Sequence, residues 1–100
     1  MNEVKLLTGA TIDEKARVLS EALSKPNMIA LYVGSGDIRN IVKIHPSSRL
    51  LTCGPCDCDK YLGYAFNAVC IDVKDHTLRT DLIRALYPCV DKDGTMAYVQ

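Results

Sequence analysis

Met28-Ile29-Ala30-Leu31-Tyr32-Val33 is the longest unbroken apolar run in this chain. Six residues suit a strand and fall far short of the roughly 20 that a membrane-spanning helix needs. A strand with one wet face alternates apolar and polar residues; this one is apolar on both faces. It is expected in the middle of a sheet, covered on both sides or on one side plus a partner. Pro26-Asn27 precedes it and Gly34-Ser35-Gly36-Asp37 follows it, both of them turn signals.

Working outward, each flank of this strand carries a helix pattern. Thr11-Ile12-Asp13-Glu14 has the form of a capping box, with Glu14 three residues after Thr11. Apolar residues then recur at Ile12, Ala16, Leu19 and Leu23, one stripe of a helix over Thr11–Ser24 that Pro26 ends. A second stripe, Leu78, Leu82, Ile83 and Leu86, predicts a helix over Thr77–Tyr87, ended by Pro88. Val4–Leu7, Arg49–Thr52 and Tyr64–Val73 read as further strands. Ile38–Ile44 reads as a strand pairing back through the glycine turn. Asp91-Lys92-Asp93-Gly94 carries the Asp-Gly pair that hairpins favour, with Thr95–Val99 as the closing strand.

This order predicts an α+β domain over residues 1–100. The expected architecture is a two-layer sandwich, a four- or five-stranded sheet with both helices on one face. A ferredoxin-like core with extra strands fits the order best, and a thioredoxin-like arrangement is the alternative.

Leu, Ile, Val and Phe make up 27 of the 100 residues, above the roughly 20% below which chains stay disordered. Twelve basic and twelve acidic residues give a formal net charge of zero. Nucleic-acid binders are usually basic on at least one face, so no nucleic acid is expected as partner. With no long apolar helix and no signal-peptide pattern at Met1–Lys5, no membrane association is expected and the cytoplasm is the expected location. Five cysteines are an odd number, which argues against a fully paired secreted framework.

The densest chemistry lies in Cys53-Gly54-Pro55-Cys56-Asp57-Cys58. Its first four residues resemble the redox motif of the thioredoxin family, which sits at a strand end and opens a helix. That resemblance implies a thiol-disulfide oxidoreductase using Cys53 and Cys56, with Pro88 where a proline facing the thiols would be sought. Thr52 replaces the family's usual aromatic residue. Asp57 and Asp59 place negative charge beside the thiols and oppose thiolate formation. The same thiols admit a small zinc site of Cys53, Cys56 and Cys58, with Cys70 or Cys89 closing a tetrahedral set.

Other motifs are incomplete. Gly34-Ser35-Gly36-Asp37 lacks the third glycine and following helix of a dinucleotide fingerprint, and too little chain remains beyond it for a methyltransferase. His45-Pro46-Ser47 and His76-Thr77 match the paired motifs of two-histidine phosphoesterases only in the first instance. Asp91–Gly94 resembles a fragment of a calcium loop that lacks its closing glutamate.

No catalytic constellation is complete, so the leading expectation is a non-enzymatic binding or regulatory module, acting on a protein partner or as a homo-oligomer. Tyr61 and Tyr64, with Asp57 and Asp59, are the expected binding surface, because tyrosine combines apolar area with a polar tip. No cofactor is expected beyond the zinc that the cysteines would admit.

Overall fold

The computed structural model describes residues 3–7 and 12–99. Its elements are β1 (Glu3–Leu7), α1 (Ile12–Leu23), β2 (Ile29–Val33), β3 (Arg49–Cys53), β4 (Phe66–Ile71), α2 (His76–Leu86) and β5 (Val90–Val99). Three short 3-10 turns cover Arg39–Ile41, Asp59–Tyr61 and Tyr87–Cys89. Asp75 caps α2, its side chain accepting from the Leu78 N–H. The expected capping residue of α1, Thr11, lies outside the described residues.

The five strands form one sheet in the order β1-β5-β4-β2-β3. Every neighbouring pair is parallel. The described residues thus form a small domain of mixed α and β structure with five strands and two helices, the helices being those the apolar stripes indicate. Its Cα radius of gyration is 12.0 Å, against about 13 Å typical of a compact 100-residue domain.

The ferredoxin-like arrangement is not present. That reading needed the chain to pair back after the Gly34–Asp37 turn. Instead residues 34–48 form a crossover that returns the chain parallel to β2, with Ile41 N–H bonding Ile38 C=O in its 3-10 turn. A crossover needs about a dozen residues, and residues 34–48 and 54–65 each supply them without an α-helix. Ile38 and Val42, expected in a strand, are instead buried anchors of the first crossover. Asp91–Gly94 is likewise no hairpin turn. It lies inside β5 as an irregularity, where the register with β4 jumps from Phe66–Val90 to Ala68–Thr95. Gly94 is tightly enclosed there: an added Cβ would lie 2.8 Å from Val90 Cγ1 and 2.9 Å from the Asn67 carbonyl.

Nor do the helices share a face. Successive strand residues point to opposite sides, and the buried residues divide by that parity. Leu19 and Leu23 of α1 cluster with Ala30, Tyr32, Ala68, Cys70 and Ala97. Leu82 and Leu86 of α2 cluster with Leu31, Val33, Val69, Ile71 and Met96. The direction of travel explains the division. From β1 to β2 to β3 the chain crosses the sheet one way, and from β3 to β4 to β5 it returns. Crossovers of one constant hand fall on opposite faces when the direction reverses. Accordingly Ile38 and Val42 of the β2–β3 crossover join the α1 cluster. Cys58 and Tyr61 of the β3–β4 crossover join the α2 cluster. No described helix is long and apolar enough to cross a membrane.

Hydroxyls fasten the loops that feed β2. Ser48 is buried and its Oγ donates to the Lys25 carbonyl at 2.6 Å while accepting from Met28 N–H at 2.9 Å. Asn67 Oδ1 accepts from Ile29 N–H.

Candidate functional site

The β3–β4 crossover gathers most of the residues that the sequence singled out. Cys53 is the last residue of β3 and faces the α2 side. Gly54 C=O then accepts from Asp57 N–H, closing a turn, and the 3-10 segment Asp59–Tyr61 follows. The motif therefore ends a strand, as the thioredoxin resemblance implied, but opens no α-helix whose terminus could stabilise a thiolate. Pro88 lies in the Tyr87–Cys89 turn, and the described residues contain no cis peptide.

Folding brings together a different pair of sulfurs from the one that spacing suggested. Cys53 Sγ and Cys58 Sγ lie 3.1 Å apart, both buried, whereas Cys56 is exposed. Burial raises the Cys53 thiol above its ordinary value, offset in part by the Cys58 hydrogen bond and Lys60. Burial also pushes the Cys58 thiol up to about 12, reinforced by Cys53 and by the negative charges of Asp57 and Asp59.

Cys70 belongs to the α1 face and is separated from this pair by the sheet. Cys89 lies on the α2 face, where burial raises its thiol. Among the described residues no three His, Cys, Asp or Glu side chains come together as metal ligands would.

Beyond the thiols the crossover becomes an aromatic platform. Phe66, fully buried at the start of β4, stacks on Tyr64 with centroids 5.5 Å apart and planes 12° from parallel. Tyr61 meets both rings edge-on, at 5.5 Å from Tyr64 and 6.2 Å from Phe66. Lys60 Nζ lies 5.2 Å from the Tyr61 ring centroid. Tyr64 remains 43% exposed despite this anchoring, and the nearby Leu62 is 45% exposed. Between them Gly63 has φ 116°, a conformation that side-chain-bearing residues rarely adopt. Asp57 and Asp59 are exposed on the same crossover. Leu62 and Phe66 were not singled out from sequence; the pattern Tyr-Leu-Gly-Tyr-Ala-Phe was the available signal.

A second polar cluster, also missed, sits on the α1 face. Lys15 Nζ and Tyr32 Oη both donate to Asp72 Oδ2, at 2.7 and 2.6 Å. The Lys15 and Asp72 side chains are only 15% and 16% exposed. Desolvation and the adjacent carboxylate drive the Tyr32 phenol far above its ordinary value. The signal was present: Asp72 shares strand parity with Ala68 and Cys70, so a charge there demands a partner. Gly34 closes over this cluster, since a Cβ would lie 2.9 Å from Tyr32 Oη. Lys15 ties α1 to Asp72 just beyond β4, and Tyr32 of β2 shares that carboxylate, so the cluster fastens helix to sheet.

The histidines serve local contacts. His45 Nδ1 accepts from Ser47 N–H at 3.1 Å. His76 Nδ1 lies 3.0 Å from an Arg79 guanidinium nitrogen, and the same guanidinium donates to the Val99 carbonyl.

Comparisons with protein families, with curated proteins and with solved structures gave no match. The functional reading therefore rests on the geometry of the molecule.

Proposed function

We propose that this chain is a small binding module. Its β3–β4 crossover would receive a protein segment that offers an apolar side chain flanked by Lys or Arg. The observation carrying this reading is the exposed pair Leu62 and Tyr64, of which Tyr64 is held in place from beneath by Phe66. A rigid aromatic surface loses little conformational entropy on binding, and aromatic residues dominate interface energetics. Asp57 and Asp59 beside the platform favour a basic partner through charge complementarity.

Selection of displayed peptides on the purified protein tests this directly. Selected peptides are expected to combine aromatic or aliphatic residues with Lys or Arg. They should lose about tenfold or more in affinity, roughly 1.4 kcal/mol, for Tyr64→Ser combined with Leu62→Ser. Asp57→Asn with Asp59→Asn should slow association and weaken its salt dependence. Peptides that bind the doubly substituted platform as tightly as the native one would overturn the reading, as would enrichment of acidic peptides.

A further inference from the structure

We propose that Cys53 and Cys58 form a reversible intramolecular disulfide under peroxide, a modification site from which the neighbouring Cys56 is excluded. The inference stands on the thiol geometry and is independent of the binding reading. The two sulfurs are already 3.1 Å apart, on opposite ends of one turn, and both lie within the α2-side core. Cys56 projects outward between them in sequence and is exposed. The usual reading of a Cys-x-x-Cys tetrapeptide thus names the wrong partner here. Gly54-Pro55 bends the chain so that the thiol five residues after Cys53, rather than three, returns to it.

The chemistry balances with hydrogen peroxide as the oxidant. The Cys53 thiol, ionising as its proton leaves, attacks one peroxide oxygen; the O–O bond breaks, giving Cys53 sulfenic acid and water. Cys58 sulfur then attacks the Cys53 sulfur, the S–O bond breaks, and the second water leaves with the Cys58 proton. Two thiols are oxidised to one disulfide while peroxide is reduced to two waters. Cys53 is the attacking thiol because Cys58 S–H can donate to its thiolate and Lys60 favours the charge. Cys58 is held more strongly in its neutral form. The burial that raises both thiols makes the reaction slow, so the product is a brace rather than a catalytic intermediate. A dithiol reductant reverses it by exchange.

The bond would close the turn at the root of the crossover that carries Tyr61 and Tyr64. The test is differential alkylation of the whole chain after peroxide. Free thiols are blocked in denaturant with one reagent, disulfides are then reduced, and the released thiols take a second, isotopically distinct reagent. Tandem mass spectrometry of peptides spanning residues 53–58 reads each position. The expected pattern is the second reagent on Cys53 and Cys58, with the first on Cys56, Cys70 and Cys89. Cys56→Ser should leave the pattern at Cys53 and Cys58 unchanged. Cys58→Ser should stop at a Cys53 sulfenic acid that dimedone traps. The second reagent on Cys56 would overturn the proposal, as would the first reagent on both Cys53 and Cys58, or their separate conversion to sulfinic acids. The native-sequence map decides the matter even if a serine variant fails to fold.

Discussion

The two faces of the sheet are packed on different principles. Toward α1 the central strands present Ala30, Ala68, Cys70 and Ala97, with Tyr32 and Asp72 at their carboxyl ends. Toward α2 the same strands present Leu31, Val33, Val69, Ile71 and Met96. Small residues let a helix approach closely and leave room for a polar fastening at its first turn. Large branched residues fill a deeper layer, and that layer also contains the Cys53–Cys58 pair and Phe66. Consecutive residues of one strand therefore have unlike tolerances: one face resists enlargement and the other resists truncation.

The largest expected effect is on the α2 face. Leu31 is fully buried, and Leu31→Ala should cost about 2–5 kcal/mol in urea unfolding through lost burial and an unfilled cavity. A loss below about 1 kcal/mol, the range of peripheral substitutions, would show that this layer is not tightly packed. On the α1 face the corresponding break is enlargement. Ala68→Leu should cost about 1–3 kcal/mol, because α1 must move to accept the added carbons. Ala68→Leu without cost would mean that α1 is not seated closely on β4.

The fastening of α1 supplies the next comparison. Asp72→Ala leaves the Lys15 ammonium and the Tyr32 hydroxyl without their shared acceptor. The expected cost is about 1–3 kcal/mol, moderated because both charged side chains keep some solvent contact. The exposed pair Lys5–Glu3, at 3.7 Å and with side chains 40% and 65% exposed, should contribute almost nothing by comparison. Equal effects from Asp72→Ala and Glu3→Ala would contradict a fastening role.

The last expected effect appears only in alkali. Burial, helped by Asp72, pushes the Cys70 thiol from 9.0 up to about 12. A raised pKa means that the folded state prefers the protonated thiol. Its contribution is therefore fully present below pH 9 and is lost as pH rises toward 12. Stability measured between those values should fall, and Cys70→Ala should make the fall shallower. An unchanged slope would show that Cys70 is not sealed beneath α1.

Much of this was legible in the chain. The run Met28–Val33 demanded cover on both faces, and the structure supplies it. The two helix stripes located α1 and α2 to within about two residues, the usual uncertainty at helix ends. Strand direction was not legible, because side-chain alternation is the same in parallel and antiparallel strands. The turn signal Gly34–Asp37 suits the start of a crossover as well as it suits a hairpin. Placing both helices on one face conflicted with the apolarity of β2 itself, a conflict that resolves once the chain reverses its direction across the sheet. At the candidate site, the two tyrosines beside Gly63 were expected to be exposed; Tyr64 is, whereas Tyr61 packs against the α2-side core. The pairing of Cys53 with Cys58 was not legible, since it depends on how Gly54-Pro55 turns. The partnership of Asp72 with Lys15 joins residues 57 positions apart, a separation that local pattern does not span.

The division of the core between two faces is tested most directly by methyl-resolved nuclear Overhauser spectroscopy of the folded chain. The α1 methyls of Leu19 and Leu23 should show cross-peaks to Ala30, Ala68 and Ala97. The α2 methyls of Leu82 and Leu86 should show them to Val33, Val69, Ile71 and Met96, with no peak linking the two sets of helix methyls. Cross-peaks from both helices to the same strand methyls, or directly between Leu19 and Leu86, would put both helices on one face and contradict the account.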